Sequence, residues 1–175
     1  LMRRRHTIEQ YIEHIEYLRH KVPEIEVSTD LIVGFPTETE EDFRETLKVV
    51  EQVKFSQIYP FKYSPRPGTH AEKLGDTVPR KVKEERLAQL IELQEKINQS
   101  AMEQLINTEQ EVLIEEPHPR NKNFWNGRTN SYRSITVSGK DIHIGDLIIA
   151  RVTDFRGHWL EAEYIRKIKN SPKNK

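Results

Sequence analysis

Apolar positions in HTIEQYIEHIEYLRHKV fall at helical steps, with Ile8, Tyr11, Ile12, Ile15, Leu18 and Val22 on one stripe. Thr7 followed three residues later by Gln10 predicts a capping box at the start, and Pro23 predicts the end. In EIEVSTDLIVGF a strand is predicted whose second half, Leu31 to Val33, is continuously apolar, as in a sheet covered on both faces. TETEEDFRETLKVVEQV returns to helical spacing through Phe43, Leu47 and Val50, with Thr37 or Thr39 as N-cap. FSQIYPFKYSPRPGT then predicts a short β-segment broken by Pro60 and closed by a Pro/Gly loop.

The order helix, strand, helix, strand is the repeat of a parallel α/β sheet, and two such strands need neighbours on their edges. Residues 1–108 therefore read as the end of a longer α/β domain. Their last segment, TVPRKVKEERLAQLIELQEKINQSAMEQLI, places Pro79 at the first helical position and Leu87, Leu90, Ile91, Ile97, Ala101 and Leu105 at helical steps. From Glu111 the period becomes two. EVLIEE, GRTNSYRSITVSG, DLIIARVTDF and HWLEAEYI read as strands, with turn signals at Gly127, Gly139, Gly145 and Gly157. That pattern predicts a small antiparallel β-barrel over residues 109–170, followed by a tail at 171–175.

Composition narrows the chemistry. Lys+Arg and Asp+Glu number 28 each, but the basic excess lies in residues 109–175, with 12 basic and 9 acidic side chains against 16 and 19 in 1–108. The sequence contains no cysteine, so disulfides, thiolate nucleophiles and cysteine-ligated clusters are excluded within these residues. None of the seven histidines stands at helical metal spacing, and no acidic pair forms a hydrolase pattern; neither a catalytic residue nor a metal site is assigned. No apolar run approaches the roughly 18 residues of a membrane span, and LMRRRHTIEQ lacks a signal-peptide core, so a cytoplasmic chain with no membrane partner is expected.

Three stretches carry candidate chemistry. In STDLIVGFPTETEEDF, Gly34 directly after a strand and before a helix permits close backbone approach of a ligand. Glu38, Glu40, Glu41 and Asp42 fill the helix N-terminal field, which disfavours an anionic ligand and favours one with hydroxyls or a positive charge; the alternative is a tight loop with dipole-complementing acids. In YSPRPGT, two prolines hold Arg66 on a stiff loop suited to a carboxylate or phosphate, or simply to a rigid turn. In PRNKNFWNGRTNSYR, Arg120, Lys122, Arg128 and Arg133 interleave with Phe124, Trp125 and Tyr132 without an acidic residue. This is a pattern for phosphate neutralisation and base stacking, or for a hairpin whose aromatics belong to the barrel core. The opening MRRRH is a short basic cluster that could touch RNA or stand solvated.

MRRRHT, STDLIVGFPTETEEDF, FKYSPRPGT, ERLAQLIELQEKI and a closing β-domain containing NGRT occur in this order in the radical S-adenosylmethionine methylthiotransferases, which the chain resembles over nearly its whole length, most closely in the MiaB-like branch. The resemblance implies the C-terminal part of a radical-SAM incomplete TIM-type barrel over 1–108 and an RNA-binding TRAM domain over 109–170. It implies S-adenosylmethionine as cofactor, with Ser28, Thr29, Asp30, Gly34 and Arg66 contributing to its pocket. It also implies a tRNA anticodon stem-loop as partner, held by Arg120, Lys122, Trp125, Arg128, Asn130 and Arg133. The complete enzyme is expected to be a monomer with two 4Fe–4S clusters, whose cysteines have no counterpart here, so this segment alone is expected to be inactive. The implied chemistry is cleavage of S-adenosylmethionine on a cluster, hydrogen abstraction from N6-isopentenyladenosine beside the anticodon, sulfur insertion at C2 and methylation. A ribosomal protein, another modified tRNA adenosine, or a non-catalytic RNA-binding adaptor role are the alternatives. Unpaired strand edges predict self-association of the chain as given.

Overall fold

Thr7 opens α1 (Ile8–Lys21): its hydroxyl accepts the Gln10 N–H at 3.3 Å, and the Gln10 side chain accepts the Thr7 N–H at 3.1 Å. Thr39 rather than Thr37 caps α2 (Glu40–Val53), through the same reciprocal pair with Asp42. The computed structural model describes residues 5–168; most of the basic opening MRRRH and the tail 171–175 lie outside the described residues. α3 (Arg80–Leu105) begins one residue after Pro79, whose carbonyl accepts the Lys83 N–H at 3.1 Å. Two compact units divide within α3, between Ile97 and Asn98, while the change of hydrophobic period falls where β3 begins at Glu109.

In the first unit, β1 (Ser28–Val33) and β2 (Gln57–Lys62) pair in parallel, from Ser28 opposite Gln57 to Val33 opposite Lys62. The core is Ile15, Val33, Phe43, Val50, Val53, Phe55, Ile58 and Leu90. α1 buries only Ile15; Ile8, Leu18 and Val22 stay exposed at its ends. The expectation that β1 is covered on both faces is not met. Exposure alternates along the strand and Ile32 is 39% exposed, because helices cover one side of this sheet alone.

In the second unit, β3 (Glu109–Pro117), β4 (Phe124–Thr129), β5 (Ser134–Ser138), β6 (Leu147–Arg156) and β7 (Trp159–Lys167) close a barrel in the order β3-β4-β5-β7-β6. Neighbours are antiparallel except β5 and β7. The exception to the antiparallel expectation arises because β6 and β7 form a hairpin and β7, not β6, lies beside β5. Gly127 lies inside β4 rather than in a turn: a Cβ there would overlap the Leu113 carbonyl of β3, so the close approach of the two strands requires glycine. The turn falls at residues 130–133, closed by the Thr129 N–H donating to the Arg133 carbonyl at 3.0 Å. Val112, Ile114, Ile135, Val137, Ile148, Val152 and Leu160 fill the interior with essentially no exposure, together with Met102 from α3. Each such aliphatic side chain contributes about 1.5–3 kcal/mol.

Candidate ligand and nucleic-acid surfaces

The corner after β1 is locked from inside. Gly34 has φ of 72°, and a Cβ there would overlap the stem of Lys83, so the space beside this glycine holds a side chain of α3. Lys83 is 4% exposed. Its Nζ donates to the Tyr63 carbonyl at 3.2 Å and to the Asp76 carboxylate, and lies 5.3 Å from the centre of the Tyr63 ring. Glu38 is equally committed: one carboxylate oxygen accepts the N–H groups of Gly34 at 2.9 Å and Phe35 at 3.2 Å, and the other accepts Arg86 Nη1 at 2.7 Å. Arg86 also donates to the Glu38 carbonyl at 3.3 Å, and its guanidinium lies over the Phe43 ring at 5.4 Å. The Arg86 and Glu38 side chains are only 6% and 12% exposed. Glu38 therefore organises the loop and is not part of an open acidic field. Asp42 completes the cap, and the Thr39 backbone N–H, followed by its hydroxyl, holds the Asp42 carboxyl below the ordinary aspartate range.

Sequence reading passed over Lys83 and Arg86. Their signal was a pair of cations at helical steps from Leu90, on a stripe that continues to the buried amide of Gln94, the arrangement of polar groups that face inward with partners.

Register sorts the cofactor candidates. Ser28, Asp30 and Ile32 share the open face of the sheet with Gln57, Tyr59 and Phe61, while Thr29 lies opposite Ile58 on the helix-covered face. Ser28 and Asp30 are thus together and Thr29 is behind them. Tyr59 and Phe61 are 52% and 53% exposed, and they were missed because IYPF is a continuous apolar run that does not reveal which of its side chains the helices leave open. Arg66 is exposed on the loop after β2. Its carbonyl accepts the Thr69 hydroxyl at 2.8 Å, and Glu72 accepts the Gly68 N–H at 2.8 Å, so side-chain hydrogen bonds stiffen this loop besides the prolines.

The six RNA candidates do not form one group. Arg120 and Lys122 stand in the β3–β4 loop; Arg128, Asn130 and Arg133 stand at the other end of β4. Trp125 lies opposite Val137 and packs against the barrel core, the bland alternative for an aromatic in this segment. Arg128 sits 4.8 Å over the ring of Tyr132, donates to the Tyr132 carbonyl at 3.4 Å and pairs with Glu115 at 3.5 Å. Arg133 donates to the Met102 sulfur at 3.7 Å. A polar chain crosses the outer face nearby: Trp159 Nε1 donates to Thr136 Oγ1 at 2.7 Å, Thr136 Oγ1 donates to Asn126 Oδ1, and Asn126 Nδ2 donates to Glu116. Trp159 was read only as part of the strand HWLEAEYI, because period two alone does not reveal which strand will lie beside β5.

Among the described residues no group of histidine and carboxylate side chains is arranged to hold a metal ion, and no helix is long and apolar enough to cross a membrane. Residues 1–50 match the model of the radical SAM superfamily, and residues 103–165 match the TRAM domain. A protein of Aquifex aeolicus (strain VF5) called tRNA-2-methylthio-N(6)-dimethylallyladenosine synthase is 43% identical over 169 residues, 97% of this chain and 38% of the relative. Proteins of the same name from Finegoldia magna and Thermoanaerobacter sp. (strain X514) are 40% and 41% identical over 94% and 96% of the chain. The chain spans 36 to 38% of the length of these curated relatives. With both domain matches in order and the aligned relatives covering almost every residue, the chain belongs to the radical S-adenosylmethionine methylthiotransferase family, to whose C-terminal part it corresponds.

Proposed function

We propose that the chain acts within a cytoplasmic, monomeric tRNA methylthiotransferase that modifies C2 of N6-isopentenyladenosine beside the anticodon, contributing one wall of the S-adenosylmethionine pocket and the RNA-binding barrel. The observation that carries the reading is the open face of β1 and β2, where a hydroxyl, a carboxylate and two aromatic rings stand together on the side of the sheet opposite the helices. In a barrel of parallel strands that side is the interior, where ligands are held near the carboxyl ends of the strands.

The donor set of Ser28 and Asp30 fits S-adenosylmethionine: the carboxylate suits its ammonium or ribose hydroxyls, and the serine hydroxyl adds a second polar partner. Thr29 supports them from the covered face, and Gly34 acts by admitting Lys83, which with Glu38 and Arg86 fixes the loop at the strand's end. Arg66 on its stiffened loop is available to a cofactor carboxylate or to RNA. The donor set does not fit an iron–sulfur cluster, since the sequence offers no thiolate, and no step at the two expected 4Fe–4S clusters is assigned to these residues. Bound S-adenosylmethionine supplies the radical and methyl chemistry; the residues of this chain bind and orient. On the barrel, Arg128, Asn130 and Arg133 take the anticodon stem-loop at one end of β4, with Arg120 and Lys122 reaching phosphates at the other.

Asp30→Asn in the complete enzyme is expected to weaken S-adenosylmethionine binding by about 10–100-fold, the effect of losing a charge-assisted hydrogen bond, while leaving tRNA affinity intact. Calorimetry of cofactor and of tRNA binding reads the two affinities, and mass spectrometry of tRNA nucleosides reads the modification. Undiminished binding together with full 2-methylthio modification would falsify the pocket assignment.

A further inference from the structure

We infer that the barrel holds unpaired RNA bases on a stacking strip made by Trp159, Tyr132 and Arg128 across β4, β5 and β7. This rests on the RNA-binding reading above and adds the surface on which the bases would lie and Trp159, which the sequence did not single out. Register places Leu113, Arg128, Ser134, Trp159 and Arg156 in one row on the outer face, running from β3 through β4, β5 and β7 to β6. The row offers guanidinium, small hydroxyl, indole and guanidinium in succession. Tyr132, 75% exposed, extends it at the β4–β5 turn, where φ of 64° presents the residue outward and Arg128 stacks on its ring.

Trp159 is 40% exposed, yet it is not loose. Its indole N–H is tied to Thr136 on β5, and Thr136 is held in turn by Asn126 and Glu116. A ring fixed by its polar edge across a neighbouring strand presents a face without further ordering cost, as a base-stacking platform requires. Arg128 and Tyr132 fix each other in the same way.

The next row of the same face is acidic: Glu116, Asn126, Thr136, Glu161 and Asp154 lie side by side, and Glu161 pairs with Arg156 at 2.8 Å. A phosphate backbone is repelled from that row and drawn to the arginines at the rim, which orients the strand with its bases turned inward over the rings. A duplex cannot turn its bases inward, so the partner is single-stranded RNA or the loop of a stem-loop. In five-stranded Greek-key barrels of the oligonucleotide-binding type, the face of the second and third strands and the loop joining the fourth and fifth carry the ligand. Here those are β4, β5 and the turn between Arg156 and Trp159.

The test is fluorescence anisotropy with the full 175-residue chain, using a labelled RNA stem-loop and a fully paired duplex of the same stem. Trp159→Leu and Tyr132→Leu are each expected to weaken stem-loop binding by about 10-fold with an unchanged salt slope, since stacking is lost and no phosphate contact is. Thr136→Val leaves every ring and charge in place while freeing the indole and taking the hydroxyl donor from Asn126 Oδ1, and is expected to cost about 3-fold. Arg128→Gln is expected to lower the slope of log affinity against log salt by about 1. Stem-loop binding that survives all three ring and tether variants overturns the strip while leaving the RNA reading intact. Duplex binding as tight as stem-loop binding overturns the single-strand assignment. Absence of RNA binding by the wild-type chain, with native circular dichroism, removes the RNA reading and the strip with it.

Discussion

In the barrel, five strands close on themselves and the interior is filled by Val112, Ile114, Ile135, Val137, Ile148, Val152 and Leu160, with the polar network kept on the outer face. In the α/β unit, two strands carry the sheet, an aromatic face stays open, and the corner beside it buries Lys83 and Arg86 against Asp76 and Glu38. Closure removes the edges of a sheet and lets apolar packing alone specify the fold. An open sheet with a functional face cannot do that. Its corner is instead fixed by directional, charge-assisted bonds, which hold a loop geometry that apolar contact would leave loose. Thr37, at φ of 73° with its N–H donating to Thr77 Oγ1 at 2.9 Å, is a further sign that this loop is held in a costly conformation by its surroundings.

The contrast breaks if charge and packing turn out interchangeable between the units. Arg86→Met is expected to destabilise the α/β unit by about 3–5 kcal/mol, because it leaves Glu38 buried and uncompensated. Hydrogen exchange at the β1 amides reads the loss. Adding Glu38→Leu removes the stranded charge, but the N–H groups of Gly34 and Phe35 then lack their acceptor, so only part of the stability returns. Full recovery would mean that the ion pair carries no positional information.

Leu160→Ala, in the apolar interior of the barrel, is expected to cost about 2–5 kcal/mol through lost transfer energy and a cavity. Both tryptophans, Trp125 and Trp159, lie in the barrel, so urea unfolding followed by their fluorescence reports this unit. A cost below 1 kcal/mol would mean that the interior relaxes as the open sheet does.

The smallest effect sharpens the comparison at a partly buried ion pair of the barrel, Lys167 with Asp146. The hydrogen bond from Lys167, then the His143 backbone N–H, hold the Asp146 carboxyl below the ordinary aspartate range against the opposing effect of burial. With the folded value depressed, this group stabilises the barrel above the ordinary aspartate pKa near ~4 and loses that contribution as pH falls through the lower folded value. Lys167→Met should therefore lower the urea midpoint at neutral pH and converge on wild type in acid. A gap that persists undiminished below pH ~2 would assign the effect of Lys167 to packing instead.

Much of the architecture was legible in the chain. The capping boxes at Thr7 and Thr39, the helical stripes and the switch to period two all follow from local rules, and the structure keeps them. Gly127 misled because a glycine in a turn and a glycine under a neighbouring strand look alike until the neighbour is known. The continuous run Leu31 to Val33 misled because it records a strand's apolar content and not what covers it.

The candidate site was legible as a set of residues and not as an arrangement. Ser28, Asp30, Arg128 and Arg133 carry chemistry that their side chains announce. That Thr29 turns away from Ser28, that Lys83 fills the space beside Gly34, and that Trp125 and Trp159 have exchanged the roles an aromatic can play all depend on partners distant in sequence.

By itself the sequence determined which segments are helical or extended, where the caps fall, that no thiolate is present, and the order of motifs that marks the family, because each of these depends on residue type and short-range spacing. Tertiary structure alone decided which face of β1 stays open, which acids are committed to Arg86 and Lys83, and which aromatic ring reaches the outer surface beside Arg128. Those follow from strand register and helix docking, which bring together side chains that no local pattern connects.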